Sequence, residues 1–315
     1  MAERISPEGL LNELAAPVEA LIHRHYENTH PWYPHETTPW SLARNFTEAD
    51  PWYPEEYPLS DGVRSSIYVN LLTEDNLPYY TETILRQAPK DHPLNEWTRR
   101  WTAEEGRHSM AIRDWALATR ALNPVLLEDG RMSQMSGGVV PEPTDVVDML
   151  AYTSFQELAT QVAHRNTGRK LDKERNGKEV MAKVAGDETL HHAFYRDAAK
   201  VALEIDPDTT ILAIARNLRH FAMPGIGIPN FRKHALAINR EGIYGKTEFL
   251  KSVVRPTFAA WALNGIADVD IKTDKAKAAR EEIDAIKISL EADSEREIAW
   301  RQKKRDKGAH NQQPS

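Results

Sequence analysis

Residues 97–115 read WTRRWTAEEGRHSMAIRDW. Trp97, Trp101, Glu105, His108, Ile112 and Trp115 recur at steps of 4, 4, 3, 4 and 3, the period of one helix face. Four of the six are apolar, so the face is a buried one and Glu105 and His108 stand in core positions. An unpaired charge there would cost several kcal/mol, of order 3–5, and a metal ion is one partner that removes the cost. A single Glu-x-x-His is a weak signal, because such a pair usually decorates a solvated helix. Its weight depends on the helices around it.

Three further stretches carry the same anomaly. Asp61 opens a helical segment to about Gln87, with Ile67, Leu71 and Leu77 on its stripe and Glu74 where an apolar residue is expected. Pro78 removes a backbone hydrogen bond just past Glu74 and should kink or loosen that helix. A helix capped by Thr144 runs through Val146, Leu150, Ser154, Glu157, Thr160 or Gln161 and His164, closing near Gly168. After a polar link containing Asn176-Gly177, another runs through Val180, Val184, Glu188, His191 and Tyr195. The offsets match: 105 − 74 = 31 and 188 − 157 = 31, while 157 − 74, 188 − 105 and 191 − 108 are all 83. Two helix pairs thus carry Glu, then Glu-x-x-His. Three matched positions on four apolar stripes are poorly explained by chance.

The rest of the chain is read more coarsely. Ser6-Pro7 followed by Leu10, Leu14, Val18, Leu21 and Ile22 predicts a capped amphipathic helix ending near Tyr26. Residues 30–60 are rich in proline and aromatics and predict a surface wrap, with Trp32, Trp40 and Trp52 packed on a helical body. Asn95 is the expected cap of the 97–115 helix, and residues 123–143 read as a connection. Further helices are expected over 209–221, 231–241 and 246–264, with a loop at MPGIGIPNF, and a last, highly charged helix from about Asp274 that ends in a flexible tail. Strand alternation is hardly visible, so the fold class is all-α. The division expected is a main domain over 1–265, including the N-terminal helix and wrap at 1–60, and a charged C-terminal segment over 266–315 that presents a solvated or partner-facing surface.

Composition narrows the chemistry. Of 315 residues none is cysteine, which excludes disulfides, thiolate zinc sites, cysteine-held iron–sulfur clusters and a cysteine nucleophile. A net charge of −7 argues against a nucleic-acid partner. No apolar run approaches the ~20 residues of a membrane span. The N-terminal segment, with Glu3 and Glu8, lacks the apolar core of a signal peptide. The expected location is cytoplasmic.

Glu74, Glu105, His108, Glu157, Glu188 and His191 fit a four-helix bundle with one Glu from each of two helices and Glu-x-x-His from each of the others. This is the ferritin-like pattern for two metal ions, here with additional helices around the bundle. Four carboxylates balance two divalent ions, and oxygen with imidazole donors suits iron or manganese. Ligating histidines normally donate their other N–H to a carboxylate or carbonyl. Asp187 is expected to support His108, and Glu104 to support His191. His192 breaks the matched spacing, and His164 is expected to be a packed or hydrogen-bonded histidine.

TAEEGRH, YTSFQELAT followed by NTGR, and DETLHH together resemble the soluble acyl-[acyl-carrier-protein] desaturases, the plant stearoyl type and its actinobacterial relatives, over about residues 8–265. TEDNLPYY resembles the segment holding that family's first ligand, Glu74. The resemblance implies O2-dependent insertion of a cis double bond into a saturated acyl chain tethered to acyl carrier protein. It also implies two Fe(II) ions per chain, electrons from ferredoxin and a homodimer. It further implies that Thr160 lies at the oxygen-binding side, and that Trp40, Asp187 and His108 form an electron route. Where the family commonly has EENRHG this chain has EEGRHS, so Gly106 and Ser109 differ, and Leu190 stands where an Arg is common. The last 50 residues do not match the plant form. The alternatives are a related di-iron acyl hydroxylase, which the same site could support, and a metal-binding paralogue without turnover, which should have lost metal ligands although none is missing.

Overall fold

A computed structural model describes residues 5–171, 175–225, 227–263 and 270–310. Among them there is no strand; the chain folds as thirteen α-helices joined by short 3-10 turns and one π-helical segment. Helix α1 (Pro7–Asn28) starts where Ser6 Oγ accepts the Gly9 amide at 3.0 Å, and it buries Leu10, Leu14, Val18, Ile22 and His25. The proline-rich wrap contributes only α2 (Pro34–Thr37) and two 3-10 turns. The stretch expected as one helix from Asp61 is two, α3 (Asp61–Asp75) and α4 (Leu77–Leu85), with Pro78 in the first turn of the second. Breaking the hydrogen-bond ladder at Asn76 turns the chain just after Glu74.

Helix α5 (Pro93–Ala118) carries the 97–115 stretch. Its cap is His92, whose Nδ1 accepts the Leu94 amide at 3.1 Å; Asn95 instead donates inward to the carbonyls of Ala88 and Pro89. Residues expected as a connection contain α6 (Pro124–Gly137), started by Asn123 Oδ1 on the amides of Val125 and Leu126 and stopped by Gly138 at φ 58°. Helix α7 (Val146–Lys170) is capped by Asp145 rather than Thr144, and α8 (Arg175–Ile205) absorbs the Asn176-Gly177 pair in its first turn. Gly177 belongs there for lack of a side chain: a Cβ would sit 2.4 Å from the Trp115 ring.

Helices α3, α5, α7 and α8 form the bundle, with α7 lying along α8 and α3 against both α5 and α7. Around it pack α1 on α8 and α5, α9 (Pro207–His220) on α7, and α10 (Phe231–Glu241) on α3. The chain then continues as α11 (Lys246–Glu248), a π-helical segment over Phe249–Val254, and α12 (Arg255–Ala260). The last helix, α13 (Asp274–His310), packs on α9 and α11 and buries Ala276, Ile283 and Ser294. That corrects the expectation of a merely solvated surface. The boundary expected at 265/266 and the expected tail past 310 lie outside the described residues.

Two apolar clusters fill the molecule. One contains Trp97, Trp101, Phe155, Phe194 and Trp261, the other Ile67, Leu71, Ile112, Trp115 and Val184. On α5 and α8 the Glu-x-x-His residues separate the part of the helix in one cluster from the part in the other. The polar residues therefore meet in a layer between two dry walls.

Candidate metal centre

The six expected ligands come together. Ligand atoms of Glu74, Glu105, His108 and Glu188 lie within 4.8 Å of one another, and so do those of Glu105, Glu157, Glu188 and His191. All six side chains are buried, His108, Glu157 and His191 completely. Glu105 and Glu188 belong to both groups. Each group adds one further Glu and one His, so two overlapping donor groups, each able to hold a metal ion, share the carboxylates of the two Glu-x-x-His helices.

The orientation of the imidazoles follows from their outer partners. His108 Nε2 meets Asp187 Oδ2 at 3.1 Å, and His191 Nε2 meets Glu104 Oε2 at 2.9 Å. This is the crossed pairing expected from the sequence. It holds both Nδ1 atoms toward the carboxylates, where His108 Nδ1 lies 3.2 Å from Glu105 and His191 Nδ1 2.8 Å from the same residue. Neither Nδ1 makes a hydrogen bond, and nor do Glu105 Oε1, both Glu157 oxygens or Glu188 Oε2, all buried. Buried polar atoms are almost always paired. Six orphaned oxygen and nitrogen atoms converging on one layer, with no thiolate, fit a pair of hard or borderline divalent cations.

The charges lead to the same conclusion. Burial, then the neighbouring carboxylates, pushes Glu74 and Glu157 well above the usual carboxylate range. Burial also opposes charge on Glu105, yet His108 and His191 outweigh it and hold that carboxyl well below its ordinary value. His108 loses by burial but gains more from Glu105 and Asp187, which raise it to about 9. Burial and these contacts thus oppose charge on Glu74 and Glu157 and favour it on Glu105 and His108.

Each histidine's outer carboxylate is itself fixed. Asp187 Oδ2 accepts from Trp32 Nε1 at 2.9 Å and from Arg107 at 2.6 Å; the Trp32 ring lies parallel to His108, 6.4 Å away at 10°. Glu104 pairs with Arg100 one turn earlier on α5 and with His25 Nε2 of α1 at 3.0 Å. The second half therefore takes its arginine from α5, which accounts for the dispensable position at Leu190. Trp40 does not join the route expected of it. It is 52 % exposed on a 3-10 turn, and the tryptophan that reaches Asp187 is Trp32. Within the irregular wrap no periodicity separates one tryptophan from another, so the choice between them was not legible. His25 was, since it continues the buried stripe of α1. His164 Nε2 lies 3.0 Å from Glu74 and its Nδ1 3.3 Å from Asn70; burial pulls it down to about 4. Of the other two departures, Gly106 has only Leu77 near an added Cβ, at 3.8 Å, whereas Ser109 donates to Asp75 and ties α5 to the end of α3.

Two cavities flank the layer. One, of about 760 Å³, is lined by Asn70, Thr73 and Thr160 near the ligands and extends past Phe221 and Phe249 to Arg219 and Lys246. The Thr160 hydroxyl donates to the carbonyls of Gln156 and Glu157, at 3.2 and 2.9 Å. A narrow space of about 30 Å³ lies between Tyr80, Thr83, Trp101, Met149, Tyr152 and Gln156. Gln156, which lines the small space, and Thr160, which lines the large one, lie one turn apart on α7, on either side of Glu157 in sequence. No helix among the described residues is long and apolar enough to cross a membrane.

Comparison with known proteins gives the family. The model of a family described as "Fatty acid desaturase" matches residues 8–313. A Mycobacterium tuberculosis protein named "Putative acyl-[acyl-carrier-protein] desaturase DesA1" is 36% identical over 273 residues, covering 84% of this chain and 80% of its own. A rice chloroplastic acyl-[acyl-carrier-protein] desaturase 3 is 31% identical over 260 residues, 75% of this chain and 63% of its own. Among solved structures, the crystal structure of a putative acyl-ACP desaturase, DesA2 of M. tuberculosis, matches with a TM-score of 0.69 at 26% identity, over 82% of this chain and 96% of that one. With a ferritin-like helical fold, a buried Glu/His cluster and these relatives, the chain belongs to the fatty acid desaturase family, acyl-[acyl-carrier-protein] desaturase type.

Proposed function

We propose that this chain inserts a double bond into a saturated acyl chain carried on acyl carrier protein. It would use O2, two external electrons and two iron ions held by Glu74, Glu105, His108, Glu157, Glu188 and His191. The observation that supports this most is the pair of ligand groups sharing Glu105 and Glu188. Bound iron would supply the oxidising power, and the balance is a –CH2–CH2– unit plus O2, two electrons and two protons giving –CH=CH– and two waters.

The chain's own residues have five tasks. Asp187 and Glu104 hold the two imidazoles with Nδ1 turned inward. Glu105 and Glu188, common to both donor groups, would help hold both iron ions. The apolar walls of the 760 Å³ cavity, Phe221 and Phe249 among them, suit a hydrocarbon chain and keep water away. Thr160 lines that cavity three residues from Glu157 and is the side chain assigned to the oxygen side. Trp32, over Asp187 and His108, takes the place intended for Trp40 in the path for electrons. The chain has no cysteine to hold an iron–sulfur cluster, so ferredoxin is the assigned donor. A homodimer in the cytoplasm completes the reading.

The test is product analysis. Iron-loaded protein is incubated with stearoyl- and palmitoyl-carrier protein, ferredoxin, its reductase, NADPH and O2. A monounsaturated acid is expected. A hydroxy acid would move the assignment to an acyl hydroxylase, and unchanged chains over a range of lengths would indicate a paralogue without turnover.

A further inference from the structure

Helix α13 contributes to the larger cavity. Ile286, Ser289 and Leu290 form part of its lining, opposite Asn70, Thr160 and the stacked pair Phe221–Phe249, whose rings are 4.5 Å apart. The three residues share one helix face. On the same face, a turn to either side, stand Glu282 and Asp293. Glu282 pairs with Arg219 and Asp293 with Lys246, the two cations that themselves line the cavity. Further along, Arg301 binds Glu248 at 2.6 and 2.7 Å, and Glu297 accepts the Thr247 amide at 2.8 Å. The helix is thus fastened at both ends of the segment that faces the cavity, and its apolar side chains are held at fixed depth.

Resting on the desaturase reading above, we propose that α13 is the specificity wall of the acyl pocket, with Ile286 and Leu290 setting its width and Ser289 its outer limit. A chain lying from Lys246 toward Thr160 passes α13 before it reaches the ligands. Side-chain volume at these positions then decides which chain lengths and branches seat fully. A wall supplied by a helix this far along the sequence can change without touching the metal layer, so selectivity and metal binding are separable.

The experiment measures binding of a ladder of acyl-carrier proteins, C12 to C18 and one methyl-branched, to the full-length metal-free protein, with the unacylated carrier protein as reference. Ser289→Phe places bulk in the cavity from an exposed position that folding does not depend on, and Leu290→Ala widens it. Ile288→Ala is the control, since Ile288 is 68 % exposed and outside the cavity. Ser289→Phe should weaken binding of the longer or branched chains by on the order of tenfold or more, and Leu290→Ala should shift the preferred chain by a similar factor. The unacylated carrier and the control should be unchanged. Normal binding by the parent with the same ladder profile in both variants would overturn the role of α13 alone. A parent that distinguishes no acylated carrier from the unacylated one would overturn the acyl-binding reading and α13 with it.

Discussion

Asp187 Oδ2 receives three donors, the Trp32 indole, the Arg107 guanidinium and the imidazole of His108. Burial works against its charge, but these partners hold its carboxyl below the ordinary value. An ionised acceptor at that point fixes the His108 tautomer, which is what a metal-facing Nδ1 requires. Asp187→Asn should keep the shape and lower metal affinity by about 10–100-fold, measured by competition with a chelator. An unchanged affinity would mean that α5 alone fixes the imidazole. The tryptophan assignment has its own comparison. Trp32→Phe keeps the ring beside His108 but loses the indole N–H, and should slow reduction of the loaded site in stopped-flow spectroscopy. Trp40→Phe should leave that rate as it is, and the opposite ranking would restore Trp40.

At the scale of elements, bundle packing depends on close approaches as much as on apolar stripes. Gly177 lets the first turn of α8 lie on Trp115, a fully buried ring. Gly177→Ala would force a shift costing about 1–3 kcal/mol, seen as a lower denaturant midpoint with unchanged slope; an unaltered midpoint would show that Trp115 can move freely. The bundle helices and the six residues that gather at the candidate metal centre were legible because each helix carried a polar residue on a buried stripe, repeated at one offset. Helix α6 was not, since only Leu127, Gly130 and Gln134 of it are buried and its glycines and methionines look like a loop. Its Asn123-Pro124 start was the missed sign. The place of α13 was illegible for another reason. Its period shows a helix, but its docking depends on ion pairs with residues 36 to 63 positions away, and no local pattern encodes those partners.

For the whole molecule, the clusters on either side of the metal layer share one structural cost. Four carboxylates are buried between them, and burial opposes charge on Glu74 and Glu157 in particular. Two cations remove that cost in the folded state and have no comparable site in the unfolded chain. Fe(II) or Mn(II) should therefore stabilise the protein, by about 2.7 kcal/mol at a hundredfold excess over Kd for one site, and a chelator should reverse the gain. The layer's symmetry makes the stronger demand, because Glu105 and Glu188 belong to both donor groups. Anaerobic titration of metal-free protein with Fe(II), followed by metal analysis after desalting, reads this directly. Two irons per chain are expected in the parent, with Glu105→Ala and Glu188→Ala each losing more than one. One iron per chain in the parent, or two retained in either variant, would contradict a shared two-metal centre.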